Sequence, residues 1–463
     1  MPENKSKKLI RGTVTYAIGD FGTKILSFLI VPLYTYYINT HDMGVYDLLI
    51  STSGLLLPII TLQISDAAYK WMISGEREPK QCIQASYDVI FLNCLLSTLV
   101  ILIINFCRAI PYCYYFIGLI ITSSWYSTIL KLVRGLKRQR LYAAIGVLFT
   151  AINVCLNLLQ IVILKKGVVS LFTSTIISYV ICCFVALIVE RDLRKVPLFT
   201  HSSELINKFV KYSAPLIPNY LNWWLINSSD SYIVTIFLGA DSNGILSVAH
   251  KFPAVLQTVF ALFNTAWQDL VISERKKDPE FYSKVFDAIS SAILGMLLVL
   301  TPLTKLFIQL VMSQDYKVAS NYIPLYYLGA VFQGFSSFYG VGYLKNNKTG
   351  RAFITSIYAA VINLVVDLLA IKTIGIHAAS LSTFIGFFVM WIIRERQNRE
   401  ELGILVNWHS IIVLTILNLI IAFVSNNTSL SSNLIIALVG FALFMMINKK
   451  YFDLLKDMIK HRR

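Results

Sequence analysis

The feature that most constrains this chain is a recurrence. Apolar stretches of about 20 residues follow one another along its whole length, joined by short, mostly basic segments. About 20 residues of helix cross the roughly 30 Å of bilayer hydrocarbon. A closed barrel of strands does not fit, because the stretches are too long and lack strict apolar–polar alternation. Composition points the same way: of 463 residues only 14% are charged and 56% are hydrophobic, with a mean hydropathy of +0.65. A water-soluble chain of this length needs a charged skin that this one cannot make. The sequence therefore predicts an all-α polytopic membrane protein.

The apolar stretches predict fourteen spans, at residues 14–38, 46–72, 86–107, 112–133, 141–164, 168–189, 212–238, 244–272, 285–312, 322–344, 352–371, 376–393, 407–425 and 430–448. The first is too long for a cleavable signal and lacks a small-residue cleavage site, so it reads as span 1. Lysine and arginine set the orientation. In an alternating arrangement roughly 31 of them fall on one side, among them Lys5, Arg77, Arg138, Arg194, Lys276, Lys348, Arg396 and Lys456. Only Arg108, Lys165, Lys166, Lys317 and Lys372 fall on the other. A single missed or surplus span would invert half of this pattern. Both ends are accordingly expected in the cytoplasm.

Several functions are excluded at this stage. The net charge of +16 lies in short loops and forms no basic domain that could grip a duplex, so nucleic acid is not an expected partner. There is no G-x-x-x-x-G-K-[ST] phosphate loop, and the longest segment between spans, 190–211, holds no catalytic domain. The seven cysteines show no metal-ligand spacing; neither a metal nor a cofactor is expected. Cys107 and Cys113 flank one loop and could pair, although free thiols are the reading preferred here.

The chain reads as two parallel six-helix repeats plus two further helices. Ile38-Asn39-Thr40-His41-Asp42-Met43-Gly44-Val45 is matched by Leu238-Gly239-Ala240-Asp241-Ser242-Asn243-Gly244-Ile245. Asn153 and Asn157 align with Asn363 and Asp367, and Gly167, Ser170 and Thr175 with Gly375, Ser380 and Thr383. Copies spanning six helices each share one orientation, an arrangement that builds transporters whose halves rock about a central cavity. The expected lobes are 1–195 and 196–400, followed at 401–463 by spans 13 and 14 and a short amphipathic cytoplasmic helix over 453–460.

An ionisable group at the bilayer centre costs at least about 2.5 kcal/mol, so it usually faces a cavity or a partner. Asp20 and Lys24 in span 1, and Asp66 and Lys70 in span 2, are each spaced i,i+4 on one helix face. Span 7 carries Asp230, span 8 His250, Lys251 and Asp269, and span 11 Asp367. They gather on spans 1, 2, 7 and 8, the leading helices of the two repeats, and suggest a polar, partly cationic cavity. Tyr34, Asn222, Trp223, Asn264 and Trp267 join them, the aromatics as surfaces on which sugar rings could stack. Asp66, Lys70 and Asp269 lie near cytoplasmic ends and could equally snorkel. His250 and Lys251 point about 100° apart, and Lys251 is the one favoured for the cavity. Prolines 32, 58, 215, 218 and 253 interrupt the same four spans, where bends would suit gating.

Phe28-Leu29-Ile30-Val31-Pro32-Leu33-Tyr34-Thr35, followed by Met43-Gly44-Val45-Tyr46-Asp47-Leu48, resembles the first hairpin of Wzx-type polysaccharide flippases of the MOP exporter superfamily. Ala214-Pro215-Leu216-Ile217-Pro218, Ser229-Asp230 and Ala249-His250-Lys251-Phe252 are similar to that family's span 7–8 pattern. The resemblance implies a transporter of the bacterial inner membrane without covalent chemistry. Its cargo would be an undecaprenyl-pyrophosphate-linked oligosaccharide destined for surface polysaccharide such as O-antigen or capsule. Membrane lipids and polysaccharide polymerase machinery would be its partners. On that reading Lys24, Lys70 and Lys251 contact pyrophosphate or anionic sugars; Tyr34, Asn222, Trp223, Asn264 and Trp267 contact glycan. Asp20, Asp66, Asp230 and Asp367 serve ion coupling or counter-ion pairing. A MATE-like exporter of small cations is the alternative, though it calls for an acidic cavity. A membrane glycan polymerase or ligase would need a larger outer loop than any present.

Overall fold

A computed structural model describes residues 28–194, 196, 203–273, 277–346 and 348–450. Asp20, Lys24 and the tail helix expected at 453–460 lie outside the described residues. Those described contain helices and connecting turns but no strand. The helices are α1 Val31–Tyr37, α2 Thr40–Ile60, α3 Ile64–Ser74, α4 Pro79–Cys107, α5 Cys113–Gly135, α6 Gln139–Leu158 and α7 Val169–Val189. After a single turn, α8 Arg191–Arg194, come α9 Ser203–Ser213, α10 Ile217–Leu238, α11 Ala240–Ser273, α12 Pro279–Val311 and α13 Ile323–Lys345. Then follow α14 Thr349–Ile374, α15 His377–Leu402, α16 Trp408–Asn427 and α17 Leu430–Ile447.

Among the described residues, eleven helices are long and apolar enough to cross a membrane. Two predicted spans fall short on apolarity, each for a local reason. In α10, Asn222, Asn227, Ser228, Ser229 and Asp230 dilute the apolar run. In α13, Gln333, Ser336, Ser337, Tyr326, Tyr327 and Tyr339 do the same, yet nearly every residue of this helix is buried against neighbours. A helix shielded by protein does not need an apolar surface.

Span 2 is not one helix. It breaks at Thr61–Gln63, between α2 and α3, where Leu62 (φ 46°) and Gln63 (φ 50°) both take the left-handed conformation. Each such non-glycine residue costs about 1–2 kcal/mol. Pro58 precedes the break, and carbonyls there lose their usual helical donors. Asn93 of α4 supplies one, its Nδ2 donating to Ile60 O at 2.7 Å.

The chain forms two compact units. Unit 1 takes in Asp42–Ser228 and unit 2 takes in Val31–His41 and everything described from Ser229 onward. The division differs from a cut at residue 195, for reasons visible in each unit. The first half of α10 stays in unit 1 because Trp224 Nε1 donates to Ser51 O at 2.7 Å and the Tyr220 hydroxyl to Asp66 at 3.1 Å. In unit 2, α1 is held by Ser313, whose hydroxyl donates to Thr35 O at 2.5 Å, and by Tyr316, which donates to Ile38 O at 3.0 Å.

Within unit 1, α7 packs on α5 and α6, and α5 on α3 and α4. Within unit 2, α13 packs between α11 and α15, α15 also meets α14, and α16 and α17 both lie on α12. Trp391, Phe286, Phe332, Phe335, Phe338 and Tyr339 form the aromatic heart of unit 2. All seven cysteines are free thiols, Cys107 and Cys113 included.

Candidate functional site

Two polar centres stand inside otherwise apolar helices, one in each unit. The centre in unit 2 is built on α10, α13, α14 and α15. Asp230 is 2% exposed, and its Oδ2 accepts from the Tyr326 hydroxyl at 3.2 Å and the Thr383 hydroxyl at 3.0 Å. Asn363 bridges the neighbouring helices: its Nδ2 donates to Ser382 Oγ at 3.2 Å and Thr383 Oγ1 at 3.3 Å, while its Oδ1 accepts from Ser229 at 3.2 Å. One helical turn further, Asp367 is 0% exposed, and neither of its carboxylate oxygens has a hydrogen-bond partner among the described residues. Asp230 Oδ1 is likewise unpartnered there. The two carboxylates feel each other's charge. No lysine or arginine pairs with either among the described residues.

Two buried carboxylates without a basic partner among the described residues favour the uptake of a proton or a small cation. The oxygen-rich donor set of Asp230, Asp367, Asn363 and Thr383 suits a hard monovalent ion and offers no soft ligand. Among the described residues no group of three or more His, Cys, Asp or Glu is placed to hold a metal ion.

Unit 1 repeats part of this pattern without the charge. Asn153 Nδ2 donates to Thr175 Oγ1 at 3.2 Å, as Asn363 does to Thr383, and Asn157 donates to Asn153 Oδ1 at 2.9 Å. Where the second sequence has Asp367, the first has neutral Asn157.

The centre in unit 1 sits at the break of span 2. Lys131 of α5 donates to Asp66 Oδ1 at 2.7 Å and to Gln63 Oε1 at 3.2 Å. The Tyr220 ring lies 5.7 Å from the same ammonium group, and its hydroxyl holds the other Asp66 oxygen. Lys70, one turn along α3, is exposed and rests over the Tyr212 ring at 4.2 Å.

The remaining expected site residues divide. Lys251 is exposed in the middle of α11 and has no ion-pair partner among the described residues, whereas His250 turns edge-on to Tyr326 at 4.5 Å. Tyr34 and Trp223 are half-buried, and Asn222 is buried. Asn264 is half-buried with an unpartnered Oδ1. Trp267 departs from the expectation of a sugar platform. It is 3% exposed, stacks on Phe338 at 4.2 Å and donates from Nε1 to Phe338 O at 3.1 Å. Its size and apolarity are used by the core.

Sequence reasoning passed over Lys131, Tyr326 and Gln63. Lys131 lies two residues from the end of its span and reads as a snorkelling terminus. Tyr326 is one tyrosine among 25. Asn363 and Thr383 were visible only as repeat markers.

With this geometry in hand, comparison with known proteins gives three findings. The family model for polysaccharide biosynthesis proteins matches residues 9–268, more than half of the chain. Among solved structures, the lipid II flippase MurJ in an inward closed conformation superposes with a TM-score of 0.76 at 15% identity, covering 96% of this chain and 100% of that one. An inward-facing multidrug resistance MATE transporter of the MOP superfamily gives 0.62 at 14% identity, with 82% and 94% covered. A MOP superfamily transporter from Pyrococcus furiosus, described as having reversed binding-pocket polarity, gives 0.54 at 14% identity, with 85% and 95% covered. The curated proteins gave no match. The fold is the one these MurJ and MATE structures share, and the molecule is a multi-pass membrane protein.

Proposed function

We infer that this chain, which belongs to the polysaccharide biosynthesis protein family, is a flippase for a lipid-linked oligosaccharide. It would move an undecaprenyl-pyrophosphate-linked repeat unit from the cytoplasmic to the outer leaflet of the bacterial inner membrane by alternating access. A glycan and a pyrophosphate do not cross hydrocarbon unaided, since each unpaired polar group costs several kcal/mol. The observation that carries the reading is Lys251: an exposed cation within an apolar helix, with no ion-pair partner among the described residues. Such a group is costly against lipid and well suited to a water-filled path for an anionic cargo. Lys70 is the second cation offered to that cargo; Tyr34, Asn222, Trp223 and Asn264 supply polar and aromatic contacts for sugars. The likeness to MurJ, a lipid II flippase, supports the same cargo class.

Asp230 and Asp367 supply the coupling. A proton or small cation entering their site would neutralise the repulsion, and its loss would release it. Asp66, by contrast, is already neutralised by Lys131 and serves as its counter-ion.

The deciding measurement is the leaflet distribution of polyprenol-linked oligosaccharides in a strain lacking the gene. Complete repeat units should accumulate on the cytoplasmic leaflet, and a Lys251→Ala copy, present in the membrane at normal level, should fail to clear them. Unchanged surface glycan in a strain with no second flippase overturns the reading. The alternative, a MATE-like small-cation exporter, is favoured by the likeness to MATE structures and disfavoured by Lys251.

A further inference from the structure

A cavity of about 900 Å³ lies in unit 1, where the ends of α3, α5 and α7 meet the start of α6. It is lined by Ile73 at the end of α3, by Lys137, Arg138, Gln139, Arg140 and Leu141 in the turn from α5 into α6, and by Val189 and Glu190 at the end of α7. None of these residues belongs to the two polar centres.

Its charge is one-sided. Arg138 Nε donates to Glu190 Oε2 at 2.8 Å, and that carboxylate is the cavity's single acidic group among the described residues. Lys137 and Arg140 are exposed and have no ion-pair partner among the described residues, so two cations stand uncompensated. The α6 helix begins at Gln139, which adds unpaired backbone N–H groups to the same wall.

The turn is built to hold these cations still. Lys137 adopts φ 62°, the left-handed position that ordinarily goes to glycine at a helix end. The geometry is locked by Lys137 N donating to Arg134 O at 3.0 Å and Arg138 N to Val133 O at 3.2 Å. Gly135 lets the end of α5 press on α3: a Cβ there would meet Met72 Sδ at 2.9 Å. A lysine kept where glycine is easier is a strained choice, and such choices cluster at binding sites. The rim is apolar and open, with Ile73 42% and Val189 58% exposed. Cations beside exposed apolar side chains, at helix ends on the basic side of the chain, match a phosphate attached to an acyl tail.

We propose that this cavity binds the phosphate headgroup of an anionic phospholipid of the cytoplasmic leaflet, through Lys137, Arg140 and the free face of Arg138, with Ile73 and Val189 against its acyl chains. This inference rests on the orientation read from the basic loops and is independent of the transported cargo.

The test is native mass spectrometry of the full-length protein released from micelles doped with phosphatidylglycerol or phosphatidylcholine. One phosphatidylglycerol should be retained at least about fivefold over phosphatidylcholine, and Lys137→Gln/Arg140→Gln should reduce retention about tenfold or more. Glu190→Gln removes the acidic group that pairs with Arg138 and should raise retention about two- to threefold, an increase that a folding defect would not produce. Millimolar inorganic phosphate should leave the lipid in place; stoichiometric displacement would overturn a lipid-borne headgroup in favour of free phosphate. Equal retention of the two lipids, or retention unchanged in the double variant, would overturn the site altogether.

Discussion

Arg394 and Asp367 are both buried charges in unit 2, and they are treated in opposite ways. Arg394 is 5% exposed, yet its Nε donates to Thr355 Oγ1 at 2.9 Å, Nη1 to Ser336 O at 3.0 Å and Nη2 to Ala352 O at 3.2 Å. Those bonds tie α13, α14 and α15 together. Arg394→Met should lower stability by about 3 kcal/mol, read as a drop in the midpoint of thermal unfolding in detergent, because two carbonyls and a hydroxyl lose a charged donor. Asp367 has no such partners among the described residues. Asp367→Asn should leave the melting temperature equal or higher, since it removes an unpaired buried charge, and should abolish any stabilisation by added sodium ions or protons. A variant that melts well below the parent would show that Asp367 is a structural group. The sequence disclosed both carboxylates of this pair through their depth in spans 7 and 11. It did not disclose Tyr326 or Lys131, because a polar residue's partner across helices carries no fixed spacing along the chain.

Helices show the same mixture. Continuous apolar runs make the existence of nearly every span legible, because crossing length is a matter of counting. The break in span 2 was hidden. Leu62 and Gln63 are ordinary helix formers, and only Pro58 hinted at a bend; the left-handed pair is imposed by tertiary contacts, among them Asn93 on Ile60 O. Asn93→Leu should therefore cost about 1–2 kcal/mol, the value of an unsatisfied buried carbonyl, measurable by thermal melting. A second element-scale constraint is the seating of α17 on α12. A Cβ on Gly440 would sit 2.4 Å from Leu298 O, a backbone atom that cannot turn aside. Gly440→Ala should push α17 off α12 and destabilise the protein by about 1–3 kcal/mol, again read as a lowered melting midpoint. The glycine is visible in the sequence, but nothing near it announces which helix it approaches.

For the molecule as a whole, the basic loops make orientation the sharpest expectation that the sequence offers. Cys107, exposed at the end of α4, provides the check. It should react with a membrane-impermeant maleimide in intact cells, whereas a cysteine introduced at Arg140 should react only after permeabilisation; the reverse pattern would invert the topology. What the repeats could not reveal is how the two units trade chain. Val31–His41 interrupts unit 1 in sequence yet belongs to unit 2, and α10 starts in one unit and finishes in the other at Ser228–Ser229. A gene severed at the codons for 196–202 would thus yield two products, neither holding a finished fold. The N-terminal product lacks Tyr220 and Trp224, and the C-terminal one lacks Thr35 and Ile38, which receive Ser313 and Tyr316. Expressed singly, both should be degraded; expressed together, they should rescue one another. An ancestry by duplication would then have ended in mutual dependence, with each half's inheritance held partly by the other.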